Sequence, residues 1–273
     1  MKNAISIIIV LLGLILSVAA HAQNPDFESV NWQKGPSIGN LADVAEVRVP
    51  AGYVFTDANG VRILMEAMQN PTSGNEVGFI APADLDWFVV FEFDNIGYVR
   101  DDEKNSLDAD AMLEAIKKGT EIANKERRRR GWPIMTVLGW EQRPRYNEIT
   151  HNLEWSIRGE SEGNLVINYN TRLLGRRGVM RVTLVTDPTT LSATLPKFKN
   201  LIAGFQFKQG QKYAEYRQGD KVAKYGLTAL VVGGASAVAV KTGLFKWIWK
   251  GLVAGFLAFL AFLKRLFSRN KSN

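Results

Sequence analysis

The stretch from Tyr225 to Leu263 limits what this chain can become. It reads YGLTALVVGGASAVAVKTGLFKWIWKGLVAGFLAFLAFL, has no acidic residue, and carries three charges, Lys241, Lys246 and Lys250. A run this long and this apolar suits a lipid bilayer. It divides into two unequal pieces. Tyr225 to Val240 is free of lysine; as a helix it rises about 24 Å at ~1.5 Å per residue. Thr242 to Phe245 would complete a hydrocarbon core of about 30 Å, with Lys241 snorkelling. A transmembrane helix is therefore expected over 225–245. Gly233, Gly234 and Ala237 would give it a close-packing face for a partner helix. Gly251 to Leu263 is short for a second span, and a second crossing would place Lys264, Arg265, Arg269 and Lys271 outside, against the basic-inside bias. The expected topology is one crossing, outside to inside. Residues 246–263 then lie along the inner leaflet and 264–273 form a basic tail. A tight two-helix hairpin is the alternative.

The charge distribution agrees with a tether. The chain has a formal net charge of +7. All 27 acidic residues lie between Gln23 and Lys224, against 26 basic ones, so that segment carries −1. The excess is Lys2 plus the seven basic residues after Lys224, which is a topology signal and not a nucleic-acid footprint. Met1 to Ala22 has the form of a secretory signal peptide: Lys2, an apolar run from Ile5 to Val18, and a small-x-small site at Ala20-His21-Ala22. An uncleaved N-terminal anchor is the other reading of that segment. The chain has no cysteine, which removes disulfides, thiol nucleophiles and thiolate metal sites.

Residues 23–210 read as an extracytoplasmic α+β domain. Gln23 to Asn40 is polar and reads as an irregular lead-in around Trp32. Ala45–Val49 and Tyr53–Thr56 alternate like strands. Asp57 is placed to cap a helix through Gln69. Val77–Ile80 and Trp87–Phe93 follow as strands, the second apolar on both faces and hence central. Ser106 or Asp108 caps a long helix from Ala109 to about Arg130. From Ile134 the pattern is an antiparallel meander: Ile134–Trp140, Tyr146–Thr150, Asn152–Arg158, Leu165–Leu173 and Val179–Thr186, with hairpins at Glu160–Asn164 and Gly175–Gly178. A helix from Asp187 to about Leu201 and a short strand at Phe205–Phe207 complete the domain, and 211–224 reads as a juxtamembrane helix. Helices and strands segregate, giving α+β with an antiparallel sheet, a few helices, a C-terminal transmembrane helix and a second short apolar helix. A subdomain junction near Gly131 stays open.

Five strings stand out together: GYVRDDE at Gly97–Glu103, GW…PRY from Gly139 to Tyr146, NLEW at Asn152–Trp155, NYNTRLLGRRGVM at Asn168–Met180, and KVAKYGLTALVVGGA from Lys221 to Ala235. They resemble the bacterial membrane-anchored proteins grouped as domain of unknown function 2167. The resemblance runs from about Trp32 to Val240. It implies an envelope location and a C-terminal anchor, and it supplies no activity and no catalytic residue.

The residues themselves offer little chemistry. His21 would leave with the signal peptide, so His151 is the one histidine for a nucleophile–base pair, and no G-x-S-x-G elbow is present. Asp101–Asp110 is rich in oxygen ligands but lacks the glycine and terminal glutamate spacing of a calcium loop, and reads as a solvated loop with a helix cap. Asp84 and Asp86 are a carboxylate pair whose separation the sequence leaves open. Lys125–Arg130 reads as cations complementing a helix C-terminus. The candidate binding residues are Arg176 and Arg177 at a hairpin tip, Trp140 and Tyr146 among the aromatics, and His151; no metal or cofactor is expected. The expected function is a membrane-anchored envelope protein at the cytoplasmic membrane, its domain facing the periplasm, acting as a non-catalytic binding or organising module. Its expected partners are membrane lipid, an envelope protein or glycan, and a second copy of itself, with no nucleic acid. An envelope hydrolase using carboxylates, and a self-assembling structural protein, are the alternatives.

Overall fold

The computed structural model describes residues 29–232. The signal peptide at 1–22, the packing residues Gly233, Gly234 and Ala237, the remainder of the 225–245 span, segment 246–263 and tail 264–273 lie outside the described residues. The strands are β1 (Gln33–Lys34), β2 (Ser37–Leu41), β3 (Ala45–Val49), β4 (Tyr53–Asp57), β5 (Glu76–Pro82), β6 (Phe88–Asp94), β7 (Thr136–Asn147), β8 (Asn152–Ser161), β9 (Asn164–Leu174), β10 (Val179–Thr186) and β11 (Phe205–Phe207). The α-helices are α1 (Ala58–Ala67), α2 (Ala109–Arg129), α3 (Leu191–Ile202) and α4 (Leu227–Val232). Eight strands form one sheet in the order β1-β4-β5-β6-β10-β9-β8-β7, and β11-β3-β2 form a second. Every neighbouring pair in both sheets is antiparallel.

β6 is central, as its apolar residues on both faces require. It pairs with β5 on one side and with β10 on the other, Phe91 opposite Val182. Val90 joins a core with Val61 and Leu64 of α1, while Phe91 joins one with Phe198 and Leu201 of α3. The β6–β10 pairing carries the sheet across Gly131, so the chain has no subdomain junction there. A third core, with Met112 and Ala115 of α2, holds Leu153 and Trp155 of β8 and all the apolar residues of α4.

Four local expectations are corrected. The lead-in before Asn40 contains β1 and β2. β2 (SIGNL) has too little hydrophobic alternation to announce itself; its position is set by close approach, since a Cβ on Gly39 would meet the Phe55 ring at 2.7 Å. The strands expected at Ile134–Trp140 and Tyr146–Thr150 are one edge strand, β7, which bends through three register shifts and carries Pro144. An edge tolerates a residue with no amide proton. The helix expected from Asp187 starts at Leu191, because Asp187 Oδ1 accepts from Thr189 N at 2.7 Å and holds a turn first. The juxtamembrane helix over 211–224 is absent: one 3-10 turn, Tyr213–Glu215, interrupts an extended strap. Its Gly210, Gly219 and Gly226 and its polar residues give no apolar face to bury as a helix.

The caps follow the sequence. Asp57 accepts from Asn59 N and Gly60 N, and Asp108 from Ala111 N. The basic run at the end of α2 does more than complement a dipole. Arg127 is buried and donates to Gln69 O and Pro133 O, each at 3.0 Å, and to Asn70 Oδ1, so it clamps α2 to the chain leaving α1. Asn124, 1% exposed, donates to Met135 O at 2.8 Å and accepts from Met135 N at 2.9 Å, acting as a strand partner for the approach to β7. Asn124→Leu strands both Met135 groups and is expected to lower stability by about 2–4 kcal/mol in denaturant titration. Glu126→Gln, which removes only the ion pairs with Arg129 and Arg130 near the surface of α2, is expected to change it far less in the same titration.

Candidate functional site

Tyr98, Tyr146, Arg176 and Val222, from four of the five strings, lie at one end of the sheet. Tyr98 forms an isolated bridge with Val222: Tyr98 N donates to Lys221 O and Ala223 N donates to Tyr98 O, both at 2.8 Å. This approach needs Gly97, whose φ is +100° and whose Cβ would lie 2.6 Å from Lys221 O. Gly97 N in turn donates to Arg177 O, and Arg176 N to Gln211 O. The strap from 211 to 226 is therefore laced to the 95–105 loop and to the β9–β10 hairpin.

Side chains repeat the lacing. Arg176 Nε and Nη2 reach the two oxygens of Asp220 at 2.7 and 2.8 Å. Arg176 is buried and Arg177 exposed, so the hairpin tip displays one arginine and not two. The bidentate bond to Arg176 and the Arg217 amide hold the Asp220 carboxyl down at about 2. Glu103 Oε2 accepts from Thr228 N at 2.9 Å and so serves an amide in the first turn of α4.

A stack of rings fills the space between strap and sheet. Tyr98 lies between Tyr213 and Tyr216, with centroids 4.5 and 4.2 Å away. Tyr213 meets His151 at 4.7 Å, and its hydroxyl donates to Val99 O. His151 takes φ +52° at the β7–β8 turn, which aims its ring inward. The Tyr146 hydroxyl donates to Asp101 Oδ2 at 3.1 Å and lies 3.1 Å from His151 Nδ1. With its one proton on Asp101, that oxygen is left to accept from Nδ1–H. Burial, then the Asp101 charge, raises the Tyr146 phenol well above its ordinary range. Burial does the same for Tyr213. Both phenols stay protonated, so neither is primed as a nucleophile. The order is acid–hydroxyl–imidazole, with the hydroxyl between the other two, unlike a nucleophile–histidine–acid relay.

The structure thus joins Tyr146 and His151 and sets Arg176 and Arg177 nearby. Trp140 stands apart at the foot of α2, where Nε1 donates to Ala109 O at 3.1 Å and the ring packs in the third core. Sequence reasoning missed Tyr98, although it lies in the GYVRDDE string, and Tyr213, Tyr216 and Asp220, which are distant in the chain and lie in none of the five strings. Asp101 and Asp108 of the acidic loop serve Tyr146 and α2. Asp84 Oδ1 accepts from Asp86 N within one turn. Among the described residues no three metal-ligating side chains converge.

A second polar group lies under α4. Arg172, 5% exposed, stacks its guanidinium 4.5 Å over Trp155 and donates to Leu230 O at 3.3 Å. Burial pulls its pKa down, and the Glu92 and Asp94 charges push back. Those two carboxylates pair with Arg181, at 3.1 and 3.6 Å. Leu227–Val232, expected to begin the span, packs here against α2. Among the described residues no helix is long and apolar enough to cross a membrane.

The family model described as "Protein of unknown function (DUF2167)" matches residues 33–264. No curated protein matches the sequence. Among solved structures, PsbP (CyanoP) from Synechocystis sp. PCC 6803 is similar at TM-score 0.41 and 12% identity, covering 71% of this chain and 99% of that one. The Saccharomyces cerevisiae Ran-binding protein Mog1p gives 0.35 and 11%, over 69% and 100% of the two chains. A Pseudomonas aeruginosa protein of unknown function, PA94, a putative regulator, gives 0.26 and 13%, over 61% and 92%.

The folded pKa of Asp220 lies below its ordinary 3.8, so the Arg176 pair adds stability above that value and loses it as pH falls toward about 2. Asp220→Asn is expected to lower the melting temperature at pH 6, and the gap to the native chain is expected to close as pH falls from about 4 to 2.

Proposed function

Because the chain belongs to the DUF2167 family, a family of unknown function, we propose its role from the site: a non-catalytic module that binds or organises a partner in the bacterial envelope. On this reading the N-terminal segment exports it and the apolar sequence after Lys224 holds it at the cytoplasmic membrane, with the domain on the outer side. One observation carries the reading. The polar groups where these four strings meet are spent on each other and on the strap: Asp101 on Tyr146, Asp220 on Arg176, Glu103 on Thr228. A hydrolase would need acids converging on open space. These fasten the last stretch of the domain before the apolar sequence, as a mount for a tether requires.

Crosslinking in intact membranes, followed by mass spectrometry, tests this. The expected product joins the domain to one reproducible envelope component, with Asp101→Asn leaving the yield unchanged. Recovery of the chain crosslinked to itself alone would favour self-assembly, and a hydrolytic activity lost in Asp101→Asn would overturn the reading.

A further inference from the structure

We propose that the end of the domain carrying the strap is a docking face for anionic lipid headgroups. The inference rests on the membrane attachment proposed above and adds what the domain itself does at the surface.

Four segments make this end: 95–105, 147–151, 175–178 and 211–226. They are joined by the Tyr98–Lys221, Gly97–Arg177 and Arg176–Gln211 backbone bonds and by the Lys104–Glu148 ion pair. They hold eight basic residues against six acidic ones, in a domain whose 23–224 segment is net −1. The balance at the surface is more one-sided than the count. Asp101, Glu103, Glu215 and Asp220 each accept a hydrogen bond, from Tyr146, Thr228, Lys212 N and Arg176, and Glu148 is paired with Lys104. Asp102 and Glu148 are the exposed acids, Glu148 with its charge met by Lys104. Arg100, Arg177, Lys212, Arg217, Lys221 and Lys224 are all exposed. Four of the six carboxylates are drawn inward by these bonds, and six of the eight cations are exposed. Such a surface attracts an anionic one and loses strength beyond a Debye length.

Apolar and amphipathic groups stand among those cations. Ile149 at the β7–β8 turn is 92% exposed, and Tyr216 and Tyr225 are 37% and 40% exposed. An isoleucine this open is costly in water and gains from the headgroup boundary, and tyrosine favours that same interface. The occupant follows from where the chain goes. The strap runs directly into α4, and the apolar sequence continues beyond it to Leu263. A membrane attachment that follows α4 so closely in the chain keeps lipid at high local concentration near the domain.

The full-length chain, reconstituted in vesicles of phosphatidylcholine alone or mixed with phosphatidylglycerol, is treated with a membrane-impermeant lysine acylating reagent. Lys212, Lys221 and Lys224 are expected to label several-fold more slowly in the phosphatidylglycerol vesicles, while Lys34 and Lys197 label equally in both. Arg177→Glu with Arg217→Glu is expected to weaken the protection roughly fivefold for each cation removed, with thermal unfolding unchanged. Equal labelling in both vesicles, or equal protection in both, as a protein partner or a second copy would give, overturns the docking face alone. A chain that washes out of the vesicles at alkaline pH overturns the membrane reading and this inference with it.

Discussion

The pairing of β6 with β10 holds the molecule together. It joins Phe88–Asp94 to Val179–Thr186 across a long separation in sequence, in an unbroken register from Val185↔Phe88 to Val179↔Asp94. On its two sides lie different halves of the chain: β1, β4 and β5 with α1, and β7, β8 and β9 with α2. Without it each half would present a long open edge. Both faces of the seam are covered, by α1 near Val90 and by α3 near Phe91, so the pairing is locked by burial as well as by its hydrogen bonds. Pairing so distant in sequence closes late, because the intervening chain must lose its entropy first.

That seam also decides where the strap can be held. β6 ends at Asp94 and β10 begins at Val179, side by side, so the loops leaving them reach the same end of the sheet. Gly97 and Arg177 meet there, and the strap lies across both. Tyr98 is the middle of the ring stack because its backbone is already bridged to Val222. A flexible linker would need none of this. The strap instead has hydrogen bonds, a two-pronged ion pair and stacked rings along its length, and it ends where Glu103 meets α4.

What the sequence revealed depended on how each element is specified. β10 and α2 were legible because their burial follows period 2 or 3.6, β6 because it is apolar on both faces, and Asp57 and Asp108 because caps act locally. β2 was not, since its place is set by Phe55 pressing on Gly39. The strap was misread as helical because polar residues before an apolar run look alike whether coiled or laced. At the site, Tyr146 and His151 were named from the sequence as separate candidates, and the structure puts them in contact. Tyr98 and Asp101 come from the 95–105 loop and Tyr213 and Asp220 from the strap, and the β6–β10 seam sets the end of the sheet where those two segments meet. Arg176 was expected in the open, but the carboxylate that turns it inward lies 44 positions further along the chain.

α4 has one more implication. Leu227–Val232 belongs to two runs at once: it completes the core beside Met112 and Leu153, and it opens the apolar stretch that ends at Leu263. The domain therefore has no seam at which to be cut free. A fragment stopped at Lys224 would leave the Glu103 carboxylate without Thr228, the Arg172 guanidinium without the Leu230 carbonyl, and one side of α2 bare. A pull applied beyond Val232 would act first on the interior around Met112 and Trp155, before it reached the surface.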